Sequence, residues 1–167
     1  VFGTDVNFTR RHMFTRGHVT LDFTGHTVTA QGVEHAKHND PFGALFHFTG
    51  VPGDDVRTFP LAQPMRALYS WWQVSVNSLA GREEKEIDKL LCVTERIDES
   101  HVRVNYKMGW PLDAGRVMTW RRVEPIERVC VQDMEFRGNE GGEETGAQPL
   151  AFEYAVRCDV RDVRARH

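Results

Sequence analysis

His12 and His18 flank the segment Met13–Gly17, and their even spacing sets both imidazoles on one face if that stretch is an extended strand. Two histidines and one carboxylate, with coordination positions left open, make the facial triad of a non-haem ferrous site. The pair supplies the first part of such a site, or it is two unrelated surface histidines. Glu34, His35 and His38 lie together in GVEHAKHNDPFG and could offer a metal two imidazoles and a carboxylate only from a helical turn or tight loop; otherwise they are solvated loop residues. Asp133 stands in the mostly apolar run Val131–Phe136. Buried there, its carboxylate must be paired or coordinating; on the outer face of a strand it is an exposed acid. No GxSxG elbow, HExxH helix, phosphate-cradling glycine loop or Cys-His nucleophile motif is present, which counts against the common hydrolase and nucleotide-binding classes.

The elements that would position these groups read mostly as strands. Val102, Val104, Tyr106, Met108 and Trp110 alternate with polar residues, the signature of a half-buried strand. The same period runs from Leu150 to Val160, predicting one long strand. Val19–Asp22 and Thr27–Ala30, joined by Thr24-Gly25-His26, predict a β-hairpin. Further strands are expected over 43–49 and 66–77, and 116–124 and 128–136 fit strands or a strand and a helix. Pro52, Gly53, Asp54, Asp55, Pro60 and Pro64 mark a loop. Ser78–Leu91 is the one strong helix candidate, although Leu90–Arg96 could equally be a strand. Gly138–Gln148, rich in glycine and glutamate, reads as a mobile loop, and no internal repeat is visible. The expected fold is α+β and strand-rich: a curved antiparallel sheet, closed as a barrel or gripping a helix, around an apolar cavity. Phe46, Phe48, Trp71, Trp72 and Trp110 would line that cavity, or simply fill the core.

With 167 residues, one domain spanning 1–167 is expected. The 21 basic and 24 acidic side chains give a formal charge of −3, with no general attraction to nucleic acid. Protonating all 8 histidines would turn it to +5, so charge-dependent behaviour should change between roughly pH 7 and 5.5. Cys92, Cys130 and Cys158 are far apart and odd in number, which favours a reducing, cytoplasmic setting. No apolar run is long enough for a membrane-spanning helix. The sequence opens at Val1 without methionine or a signal-like apolar run, as expected of a processed or excised chain.

The stretch Leu91–Val104 (LCVTERIDESHVRV), with Gly115–Met118, Glu124-Pro125 and Val131–Phe136 (VQDMEF), resembles the C-terminal catalytic domain of Rieske-type oxygenases, in the ketosteroid hydroxylase and sterol desaturase branch. The resemblance implies a helix-grip fold holding an aromatic or steroidal substrate beside a mononuclear Fe(II), with Asp133 as its carboxylate ligand beside His12 and His18. It also implies a Rieske or reductase partner, since no cluster motif is present in this chain. The family's NxxDxxHxxxxH helix is missing too. Two readings follow: the iron-dependent catalytic part of an oxygenase, or a metal-free binder or cyclase-type enzyme holding a small hydrophobic molecule in the same cavity. An interaction domain with a filled core is the third.

Overall fold

The computed structural model describes residues 1–30, 44–58, 68–77, 85–107, 118–138 and 148–166. Every regular element among them is a β-strand, and they fall into two units: Val1–Gly50 with Pro125–His167, and Val51–Glu124.

The first unit is a parallel β-solenoid. Its strands are β1 (Val6–Asn7), β2 (His12–Phe14), β3 (Val19–Asp22), β4 (Thr27–Thr29) and β5 (Phe46–Thr49). The second unit then contributes β6 (Val51–Thr58), β7 (Trp71–Asn77), β8 (Lys85–Arg96), β9 (Val102–Val104) and β10 (Met118–Glu124). The solenoid resumes with β11 (Ile126–Glu127), β12 (Val129–Arg137), β13 (Leu150–Glu153), β14 (Ala155–Val156) and β15 (Asp159–Arg166). One parallel sheet runs β1-β4-β12-β15 with β3 also on β12, another runs β2-β5-β13, and β11 pairs with β14. Each coil therefore lies on the next with its strands aligned.

Single residues of positive φ turn the coils. Val19 pairs with Val129, and Cys130 with Asp159, so His18 (φ 59), Arg128 (φ 54) and Arg157 (φ 54) stack as one corner. Asp133 (φ 53) and Asp162 (φ 49) stack as another, beside Thr24 and Gly25. A left-handed residue costs an L-amino acid of the order of 1–2 kcal/mol, and Asp and His tolerate it better than most. The corner also resets the alternation. Val129 and Val131 face the core, Asp133 turns, and then Met134 and Phe136 face the core again.

Inside, Phe14, Phe48 and Phe152 occupy aligned positions and stack at centroid distances of 4.8 and 5.0 Å, which is the strand spacing. Each such pair adds about 0.5–1.5 kcal/mol beyond burial. Phe2 lies flat on Phe23 at 4.6 Å, and Phe8 meets Phe46 edge-on at 5.0 Å, so these two rings close the β1 end of the core.

The second unit is an antiparallel sheet in the order β6-β10-β7-β8-β9. Trp72, Val74, Leu91, Val93 and Trp120 form its buried cluster. The Trp72 indole donates to Ser70 Oγ at 2.8 Å, and Arg57, gripped by Asp55, lies 5.4 Å over its ring.

Several expectations are corrected. The architecture is all-β with parallel sheets, not an α+β helix-grip or antiparallel barrel, because β3, β4 and β5 find partners a full coil away. The hairpin over 19–30 does not form: β3 and β4 each pair with β12, on either side of a corner. The long strand over 150–160 is broken at Tyr154 and Arg157, both of positive φ. Residues 85–91 of the helix candidate belong to β8, where the ladder with β7 overrides helix propensity; 78–84 lie outside the described residues. The Pro52–Asp55 loop is part of β6, an edge strand, where proline and glycine are tolerated. β9 ends at Val104, as Asn105 turns back to bond Cys92.

Gly17 precedes the His18 corner, and a Cβ there would overlap the Glu127 carbonyl oxygen of the next coil. Gly17→Ala should lower stability by about 3 kcal/mol, measured by denaturant unfolding. Gly3→Ala, which opens into free space, should shift it by less than about 0.5 kcal/mol.

Candidate functional site

A parallel sheet with its alternate residues in the core presents the others in rows across the coils. On the β1-β4-β12-β15 face, Val6, Val28, Phe136 and Ala165 form the inward row. Asn7, Thr29, Arg137 and Arg166 form one outward row, and Thr27, Glu135 and Arg164 the other. At about 4.8 Å per strand the four-residue row runs about 14 Å and the three-residue row about 10 Å.

The groups on this face are held in place. Thr29 Oγ1 donates to Asn7 Oδ1 at 2.8 Å, and Arg137 donates through Nε and Nη2 to Glu135 Oε1 at 3.1 and 3.0 Å. Asp5 accepts from the Thr27 backbone N–H at 2.8 Å and lies 3.3 Å from His26 Nδ1. The Thr27 N–H, with His26 assisting, holds the Asp5 carboxyl below its ordinary value. Arg137 and Arg166 are neighbours in the ladder, a like-charged pair of which Arg137 already has the Glu135 carboxylate as its anion. The face thus offers hydroxyl, amide, carboxylate and guanidinium groups at fixed intervals, the chemistry that recognises a polyhydroxylated or acidic ligand.

Two other clusters carry ionisable groups. On the β5–β13 face, His47 Nε2 lies 3.4 Å from Glu153 Oε2, with side chains only 14% and 28% exposed. Thr49 Oγ1 sits 3.5 Å from the same carboxylate. In the turn after β8, Asp98, Ser100 and His101 resemble a Ser-His-Asp triad in composition. The geometry is different: Asp98 and Ser100 both meet His101 at Nδ1, at 2.9 and 3.2 Å, whereas a relay needs opposite ring nitrogens. Asp98 Oδ1 also accepts the Ser100 and His101 backbone N–H groups, so the cluster is a turn clasp.

The residues singled out from sequence are scattered. Phe46 and Phe48 are buried in the solenoid core, Trp72 is buried in the antiparallel sheet, and Trp71 is half-buried on the next position of β7. Trp110, Glu34, His35 and His38 lie outside the described residues. His12 packs against Phe8 and Phe46, while His18 and Asp133 occupy different corners. Asp133 is a turning residue in mid-strand, which neither an outward strand acid nor a buried ligand had anticipated. Among the described residues, no three His, Cys, Asp or Glu side chains are grouped so as to hold a metal. None is a helix long and apolar enough to cross a membrane. The polar face was missed, although Thr27-Val28-Thr29 and Glu135-Phe136-Arg137 share its out-in-out pattern.

The fold and face define a parallel β-solenoid carrying an inserted antiparallel unit. No family model matches the chain, and no curated protein matches it. Among solved structures it is similar to the Gp54 tailspike of Acinetobacter baumannii bacteriophage AP22, in complex with A. baumannii capsular saccharide. The TM-score is 0.53 at 11% identity, over 96% of this chain and 28% of the tailspike. The chain thus spans under a third of that protein's length, and the likeness concerns the fold alone. It overturns the resemblance to Rieske-type oxygenases: a helix-grip domain needs a helix for its sheet to hold, and the solenoid core is filled by its own coils. The oxidoreductase class and the iron that came with it thereby lose the resemblance that introduced them.

The Asp98 clasp makes a pH prediction. The Ser100 backbone N–H first, then the His101 side chain, holds the Asp98 carboxyl at about 2, against an ordinary 3.8. A depressed carboxyl stabilises the fold above its ordinary value, and that contribution is lost as pH falls through the folded value. The Asp98 carboxyl resonance should therefore titrate with a midpoint near 2 by NMR, and the Ser100 amide shift should follow it.

Proposed function

We propose that the outward face of the β1-β4-β12-β15 sheet binds a saccharide, with Asn7, Thr27, Thr29, Glu135 and Arg137 as its central contacts. The observation that carries this reading is the alignment of hydrogen-bonding side chains in rows across successive coils, a spacing that suits a repeating polar chain. The capsular saccharide held by the tailspike of similar fold supports the ligand class. Arg137 and the neighbouring Arg166 favour a saccharide carrying carboxylate or other acidic groups.

Calorimetric titration with acidic and neutral capsular-type oligosaccharides should show binding to the acidic ones. Arg137→Ala should weaken it about tenfold or more, with unchanged thermal stability, since the side chain is exposed. Absence of binding by the wild type, or binding unaltered in Arg137→Ala, would remove this reading.

A small lipophilic ligand in the antiparallel unit is the second reading. It rests on Trp120, only 9% exposed, whose Nε1 has no hydrogen-bond partner among the described residues. A hydrophobic molecule bearing one acceptor would satisfy that N–H, and its binding should alter indole fluorescence in the wild type but not in Trp120→Phe.

A further inference from the structure

The inserted sheet has a second face. Trp72 and Val74 of β7 belong to its buried cluster, so the residues between and beside them, Trp71, Gln73 and Ser75, lie on the opposite side. There the ladders set Arg121 of β10 next to Gln73, and Asp88 of β8 next to Ser75. β10, β7 and β8 are the three inner strands of the sheet, so these groups are spaced by pairing on both sides. At about 4.8 Å per strand the array is about 10 Å wide. Arg121 and Asp88 are exposed and Trp71, Gln73 and Ser75 half-buried, which leaves the array open to solvent.

Its two sides differ in charge. On β8, Asp88 accepts from Gln73 Nε2 at 2.9 and 3.1 Å and from Ser75 Oγ at 3.3 Å, so a carboxylate and the two side chains bonded to it are fixed together. On β10, the Arg121 guanidinium has no hydrogen bond or ion pair among the described residues. Trp71 stands one step further along β7, with the buried Val123 and Cys92 as its ladder neighbours. An indole offers an apolar plane, and here it is placed at the apolar end of an otherwise polar face.

We propose that this face is a second saccharide site, and that it takes a sugar acid. The carboxylate of the sugar pairs with Arg121, whose planar fork matches a carboxylate and gains its first anion there. Hydroxyls of the same sugar donate to Asp88, a group that can only accept when ionised. The apolar face of the adjoining sugar ring lies against Trp71. The opposite charges on β10 and β8 fix the direction of the ligand, since a carboxylate placed over β8 would meet Asp88. Arg137 on the coils already holds Glu135, so Arg121 has the more to gain from an acidic ligand. The ligand class rests on the saccharide reading above, whereas the site is built from other residues in the other unit.

Proton–nitrogen NMR on the 167-residue chain, titrated with trigalacturonate, should move the Trp71 indole signal and the Gln73 and Ser75 amide signals. Neutral maltotriose should need a concentration about tenfold higher or more for the same shifts. Arg121→Gln should weaken trigalacturonate binding about tenfold, and Asp88→Asn should weaken it as well by removing an acceptor; circular dichroism checks that each variant is folded. Tighter binding in Asp88→Asn, or binding indifferent to Arg121→Gln, would overturn the proposal. Shifts confined to Thr27, Thr29 and Arg137 would overturn it and leave the coil face standing. Shifts at Trp71 and Gln73 with none on the coils would uphold it and remove the coil face, and no shift at either would overturn it.

Discussion

Everything in the solenoid depends on coils turning at the same place. β12 pairs with β3 and β4 on one side and β15 on the other, so its corners must coincide with theirs along both edges. A turn one residue early would send Val131 and Phe136 outward and bring Gln132 or Arg137 into the core. The left-handed conformations at Arg128, Asp133, Arg157 and Asp162 are the cost of that coincidence, and the ladder bonds and buried aromatic rows on either side offset it. Gly17 belongs to the same constraint, since a coil approaching Glu127 so closely leaves no room for a side chain.

The sequence conveyed strands well and their partners poorly. The Val19–Asp22 pattern marked β3, and 128–136, which fitted a strand or a helix, is β12; burying one face of a strand writes a two-residue period whatever lies beside it. Whether the neighbour is antiparallel and adjacent or parallel and a coil away leaves no trace in that period, so a hairpin was the natural expectation for 19–30. A repeat was nevertheless present. His18-Val19-Thr20-Leu21-Asp22, Arg128-Val129-Cys130-Val131-Gln132 and Arg157-Cys158-Asp159-Val160-Arg161 are corner residues followed by in-out-in-out positions, and their identities differ enough to hide the shared geometry. β8 misled for another reason: Lys85–Leu91 has the charge pattern of a helix and is held extended by β7.

The polar face was harder to see, because its members are ordinary surface residues until the coils stack. Asn7, Thr29 and Arg137 come together only because β1, β4 and β12 fall into register, and no local motif announces them. His12, His18 and Asp133 attracted attention as types that bind metals, yet two of them serve as corners, where a short polar or flat side chain eases a left-handed backbone. Residue type alone carried too little information to separate those roles.

The point where the second unit enters also bears on how the chain reaches its structure in time. Gly50 donates to the Glu153 carbonyl and Ile126 to that of Tyr154, so both sides of the insertion dock on consecutive residues of one coil. Within the insertion, Val51 and Glu124 are antiparallel partners. Joining Leu21 to Val131 in an unfolded chain means closing a very long loop, and contacts of such separation are slow to form. Once Val51–Glu124 has assembled from its shorter-range antiparallel pairings, the ends of that loop are already side by side. The insertion is thus expected to act as an internal clamp that gathers first and shortens the search left to the parallel coils.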